Sequence, residues 1–134
     1  MKKKKMKGKL KGKLKGKFSQ EWKNIIFNIS FSIIAILIVI LFYEQILLTA
    51  ILEAGLGIIG LLKWKSKVTL SIFVLGGVGG TLVEMLIIYT TGAWTYKIPS
   101  VLNIVPIWLI FVWGNTSAYL YETGKELKKI IREK

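Results

Sequence analysis

Lys63-Trp64-Lys65-Ser66-Lys67 is a basic break between two apolar runs, 46–62 and 68–89. Two more apolar runs, 25–43 and 101–121, lie beyond these, and basic segments at 2–23 and 125–134 close the pattern. Nineteen of the 20 Lys and Arg residues fall in the three basic segments, and the exception is Lys97. Short positively charged segments stay on the cytoplasmic side of a membrane. Four crossings put all three segments on that side and send 90–100, with Lys97, outside. Three crossings, with 25–62 as one bent helix, would place Lys63, Lys65 and Lys67 outside. The chain is therefore expected to be an all-α polytopic protein of the cytoplasmic (plasma) membrane. It should have four transmembrane helices in two hairpins, at about 25–43, 46–62, 68–89 and 101–121, with N- and C-termini cytoplasmic. The run 46–62 is the shortest, since a core of ~30 Å needs roughly 17–25 helical residues.

Composition points the same way. Hydrophobic residues make up 53% of the 134 and the mean hydropathy is +0.55, more apolar surface than a chain this small can hide from water. The net charge of +13 suits nucleic acid or anionic lipid. Its placement beside the apolar runs favours anionic headgroups, and with no recognition fold beside it no specific nucleic-acid partner is expected. Cysteine, histidine and aspartate are absent, which removes thiolate and imidazole chemistry and the ligands of zinc, haem and iron–sulfur sites. Neither a metal nor a cofactor is expected.

The membrane domain is expected at 24–121, between two tails. Segment 1–23 contains Lys-Gly-Lys-Leu twice and then Lys-Gly-Lys-Phe, over 7–18. Leu10, Leu14 and Phe18 recur at helical spacing, but the three interleaved glycines each cost about 1 kcal/mol in a helix, so in water this tail reads as disordered. Lys7, Lys9, Lys11, Lys13, Lys15 and Lys17 are candidates for holding it to anionic lipid, at about 1 kcal/mol each. Segment 122–134 carries Leu127, Ile130 and Ile131 among charges and reads as an amphipathic basic cytoplasmic helix.

Two acidic residues lie inside the apolar runs, Glu53 in the second and Glu84 in the third. A carboxyl at that depth is costly and marks a functional hypothesis, against the plainer alternative of a hydrogen bond to a neighbouring helix. Around Glu84 the sequence offers Tyr89, Trp94, Tyr96, Asn103 and Trp108, whose aromatic rings suit an apolar or cationic ligand. Gly76 and Gly80 form a small-xxx-small pair for close helix packing, inside this chain or against a partner. Gly55-Leu56-Gly57-Ile58-Ile59-Gly60 matches the dinucleotide pattern in letters only, because it lies within an apolar helix and not between a strand and a helix.

The order Glu84, Thr91-Gly92, Tyr96, Pro106, Trp113 resembles a pattern in multi-span carotenoid-biosynthesis proteins of the hydratase and lycopene-cyclase-like kind, over about residues 84–113. The resemblance implies polyene chemistry assisted by Glu84 as an acid. From the residues alone, the first reading is a non-enzymatic subunit, scaffold or accessory component of a membrane complex, with a membrane-protein partner or a second copy against the Gly-rich third run. The alternative is a lipid- or isoprenoid-binding or modifying protein using Glu84 and the 90–100 loop. A small proton-coupled transporter or channel using Glu53 and Glu84 is the third.

Overall fold

The structure is a computed structural model that describes residues 2–132, without the side chains of 4–19. The side chains of the candidate surface lysines at 7–17 therefore lie outside what is described. Helices α1 (Lys2–Phe42), α2 (Ile46–Trp64), α3 (Lys67–Thr91) and α4 (Leu109–Arg132) make up the fold, and there is no strand among the described residues. Three stretches are long and apolar enough to cross a membrane: Gln20–Phe42, Ile46–Trp64 and Lys67–Thr91.

The breaks between helices have local causes. Gln45 caps α2 in a non-helical conformation, and the Thr49 hydroxyl donates back to the Phe42 carbonyl. The chain therefore turns at 43–45, and α1 and α2 pack as a hairpin with Phe31 and Trp64 edge to face at 5.1 Å. Lys65 ends α2 in the left-handed region (φ 51°), and the Ser66 hydroxyl accepts from the Thr69 N–H at 3.2 Å to start α3. Gly92 (φ 61°) ends α3 with its N–H on the Ile88 carbonyl, a conformation that suits a residue without Cβ.

At both ends the chain differs from the sequence expectation. The backbone of α1 is helical from Lys2, through the Lys-Gly repeat, where disorder in water was expected. A helix already nucleated at 20–42 extends at one hydrogen bond per added residue. The second difference is the last helix, which covers 109–132 and not 101–121. Leu102 and Asn103 take positive φ (52° and 56°), Val101 bridges to Val105, and Pro106 begins the turn that leads into α4. Pro106 has no N–H to give a preceding turn and disfavours helix at Val105. The apolar run 101–108 is thus a folded cap, with Val105 and Trp108 buried in the core. There is also no boundary at 122, where a separate tail helix was expected; α4 runs through it unbroken.

α4 packs along all three other helices, whereas α2 and α3 barely touch. It is antiparallel to α3, and the two backbones approach closely. A Cβ on Gly76 would overlap the Ser117 side chain, and one on Gly80 would lie 2.5 Å from the Trp113 ring. The central position explains why α4 can carry polar residues along its length: Asn115, Glu122 and Glu126 are buried on it, facing neighbours rather than the outside. The outer surface is the reverse. Ile36, Ile40, Leu47, Ile58, Leu75, Leu82 and Leu86 are all exposed, while Glu53, Asn28, Asn115, Thr49 and Thr69 are among the most deeply buried side chains. Polar inside and apolar outside is the arrangement suited to a lipid solvent, where buried polar groups must pair internally.

Candidate functional site

Glu84 projects from the inner face of α3, two turns before its end, and is only 9% exposed. Three side chains from elsewhere in the sequence converge on it. Trp94 Nε1 donates to Oε1 at 3.2 Å, the Tyr96 hydroxyl donates to the same oxygen, and Trp113 Nε1 donates to Oε2 at 2.8 Å. The first two come from the loop after Gly92 and the third from α4. Trp113 fits there because Gly80, one turn below Glu84, leaves room for its ring. Trp108 supports the arrangement from behind, edge-on to Tyr96 with ring centroids 6.1 Å apart. Burial, and next the hydrogen bond to the Glu84 carboxylate, push the Tyr96 phenol well above its ordinary pKa, so it remains a donor.

Indole N–H groups can only donate, and here they reach both carboxyl oxygens. A carboxylate has about four lone-pair sites, and three donors are in place. An open-sided cleft of about 470 Å³ leads to the carboxyl between α3 and α4, walled by Val83, Ile87, Trp94 and Trp113 over the floor of Gly79 and Gly80. Val83 is exposed on the apolar outer face of α3, so the cleft opens sideways rather than along the helix axes.

The other candidates lie elsewhere. Tyr89 is 80% exposed on the outer face and Asn103 sits at the exposed tip of the 101–105 turn, both apart from Glu84. Glu53 is fully buried: Asn115 Nδ2 donates to its carbonyl at 3.0 Å and to Oε2 at 2.8 Å. Its Oε1 and the Asn115 Oδ1 have no hydrogen-bond partner. Trp113 and Asn115 are two residues apart on α4 and so point about 200° apart. The helix itself separates the two carboxyls, and no single substrate meets both. Among the described residues no group of acidic side chains is placed to hold a metal ion.

Trp113 was not among the pocket residues suggested by the sequence. Its signal was there, in a Gly-rich helix that leaves room for a large ring opposite and in the 84–113 pattern. Glu44 and Lys97 were also unassigned; they form an exposed ion pair at 2.7 Å that ties the 92–108 loop to the α1–α2 turn.

Fold and site together define an all-helical chain with three helices fit to cross a membrane and a buried carboxyl that accepts from three side chains beside a lateral apolar cleft. No protein-family model matches the chain, and no curated protein or solved structure is significantly similar to it.

Proposed function

We propose that this chain is a four-pass protein of the cytoplasmic membrane, with both termini in the cytoplasm, that binds a long-chain or isoprenoid amphiphile at Glu84. In this reading α4 is the fourth pass. It is too polar to face lipid alone, and α1, α2 and α3 surround it. The basic segments gather at one end of the bundle, next to anionic headgroups, as the positive-inside rule requires.

One observation carries the binding assignment: a carboxyl that accepts from Trp94, Tyr96 and Trp113 and opens into a cleft lined by apolar and aromatic side chains. With donors on both oxygens, Glu84 serves as an acceptor rather than as an acid. The ligand end that meets it is a donor, a hydroxyl or an ammonium group, and the indole faces favour the latter. The apolar part lies along Val83 and Ile87. This favours binding over the acid-assisted polyene chemistry implied by the carotenoid-protein resemblance, and keeps an isoprenoid as a candidate for the apolar part. Gly76 and Gly80 are filled by α4 of the same chain, so that pair supports no partner helix.

The test is native mass spectrometry and lipid extraction of the full chain purified in mild detergent. The expected result is a retained amphiphile that Glu84→Gln loses and Glu53→Gln keeps. A wild-type chain with no such ligand, or a Glu84→Gln variant with the same complement, would overturn the reading.

A further inference from the structure

The four glycines in the middle of α3 have unlike surroundings. A Cβ on Gly76 would overlap the Ser117 side chain, one on Gly77 would lie 2.7 Å from the Ile110 carbonyl oxygen, and one on Gly80 would run into the Trp113 ring. In these three places α4 already fills the room. Gly79 is the exception, because a Cβ there would meet nothing within 4 Å. Glycine is the poorest helix former after proline, and at Gly79 no neighbouring helix among the described residues requires it.

Gly79 does have a place in the fold, as part of the lining of the open-sided cleft that leads to Glu84. Gly79, Val83 and Ile87 recur every fourth residue and so share one side of α3, and all three line that cleft. Gly79 is the middle residue of the 25 in α3, and Glu84 lies five residues farther from the basic break at 63–67, about 7.5 Å along the axis. The cleft therefore has its carboxyl toward one end of the helix and an apolar end at the helix centre. A larger residue at Gly79 would occupy that apolar end, whereas a larger one at Gly80 would displace Trp113 from Glu84.

We propose that Gly79 is a specificity-determining residue of the Glu84 cleft: the room left by its missing side chain seats the hydrocarbon part of the bound amphiphile. The inference rests on the Glu84 reading and adds a direction to it. The head of the ligand meets the carboxyl, and its chain passes Val83 to reach the middle of α3, as a lipid lies in the leaflet away from the basic segments. Gly80 offers no such seat, since the Trp113 ring occupies it. Gly55 of α2 is as open as Gly79 and takes no part in lining the cleft, which makes it the control.

Native mass spectrometry of the full chain in mild detergent tests this, with hexadecylamine as the probe. Gly79→Leu should lower its retention about tenfold or more, because two apolar groups would then compete for one space. Gly55→Leu should leave it as in the wild type. The unfolding midpoint of Gly79→Leu should be no lower than that of the wild type, since leucine is the better helix former and its Cβ meets no neighbour. Unchanged retention in Gly79→Leu, or an equal loss in Gly55→Leu, would overturn the proposal. Should Gly79→Leu fail to fold, the wild-type chain decides: hexadecylamine carrying a diazirine at mid-chain should label 78–83, and labelling confined to other segments would remove the assignment. The two readings fail differently. Loss of the amine in Glu84→Gln with none in Gly79→Leu removes the role of Gly79 alone. No retention by the wild type, or retention that Glu84→Gln does not change, removes the Glu84 reading and the role of Gly79 with it.

Discussion

Glu84 and Glu53 are both carboxyls set in apolar helices, and their surroundings are opposite. Glu84 receives three side-chain donors and opens on a cleft, whereas Glu53 is sealed, held by Asn115 alone, with Oε1 and the Asn115 Oδ1 both unpaired. An acidic residue in a membrane helix is therefore not one kind of signal. Converging donors, a lone-pair site still open and access mark a place where something else can bind. A single amide partner with no access marks a contact that joins two helices, here α2 and α4.

That distinction is most exposed to test at Asn115. Asn115→Leu removes the one side chain that bonds Glu53 and leaves a buried carboxyl with none, which should cost about 3–5 kcal/mol. Denaturant titration of the detergent-solubilised chain would read it, and a loss under 1 kcal/mol would remove the structural role assigned to the pair. At the other site, Trp113→Phe keeps a ring over Gly80 but deletes the N–H to Glu84 Oε2. A hydrogen bond to a charged group contributes about 1.5–3 kcal/mol. The loss should be smaller than at Asn115 because two donors remain, and it should come with weaker ligand retention. If stability falls and retention does not, the cleft is not the binding site.

The sharpest contrast is in the two glutamine variants. Glu53→Gln supplies an N–H to a site that holds an unpaired Asn115 Oδ1, so side-chain reorientation can form a reciprocal amide pair and raise stability by about 1 kcal/mol. Glu84→Gln does the reverse, turning an NH₂ toward at least one existing donor. Equal and opposite unfolding shifts are not required. Both variants moving in the same direction would erase the comparison.

Much of this was legible in the sequence, and the parts that were not share a cause. The basic break at 63–67 and the hydropathy of 46–62 and 68–89 located α2 and α3 to within two residues at each end. The run 101–121 misled because hydropathy records that Val105 and Trp108 avoid water and not that a turn at Leu102 and Asn103 folds them over the core. Glu122 and Glu126 fell inside the segment read as an amphipathic basic tail helix and had no role there, since their burial depends on three other helices closing around α4. Glu84 and its loop were found from local sequence. Trp113 stood in the 84–113 pattern, but its place at the carboxyl depends on the register of α4 against Gly80, a long-range fact.

The weakest expected effect concerns the link between the two regions. Lys97, in the loop that serves Glu84, pairs at 2.7 Å with Glu44 in the turn that opens the Glu53-bearing helix, beside the Tyr43 ring. The lysine holds the Glu44 carboxyl below its ordinary pKa, and Glu44 raises that of Lys97. Stability from a depressed carboxyl pKa is present above the unfolded value and is lost as pH falls through the folded one. Stability from a raised lysine pKa is present below the unfolded value and is lost as pH rises through the folded one. The clasp is thus whole between the carboxylate and lysine ranges and opens beyond either. Both partners are exposed, so solvent and salt screen the pair, and Lys97→Gln should leave the unfolding midpoint unchanged within error. What should change is the loop: faster amide exchange at 93–97, reproduced in the wild-type chain by high salt at neutral pH. If Lys97→Gln instead releases the amphiphile as fully as Glu84→Gln, the loop is held by its surface clasp, and the three donors around Glu84 are its result rather than its anchor.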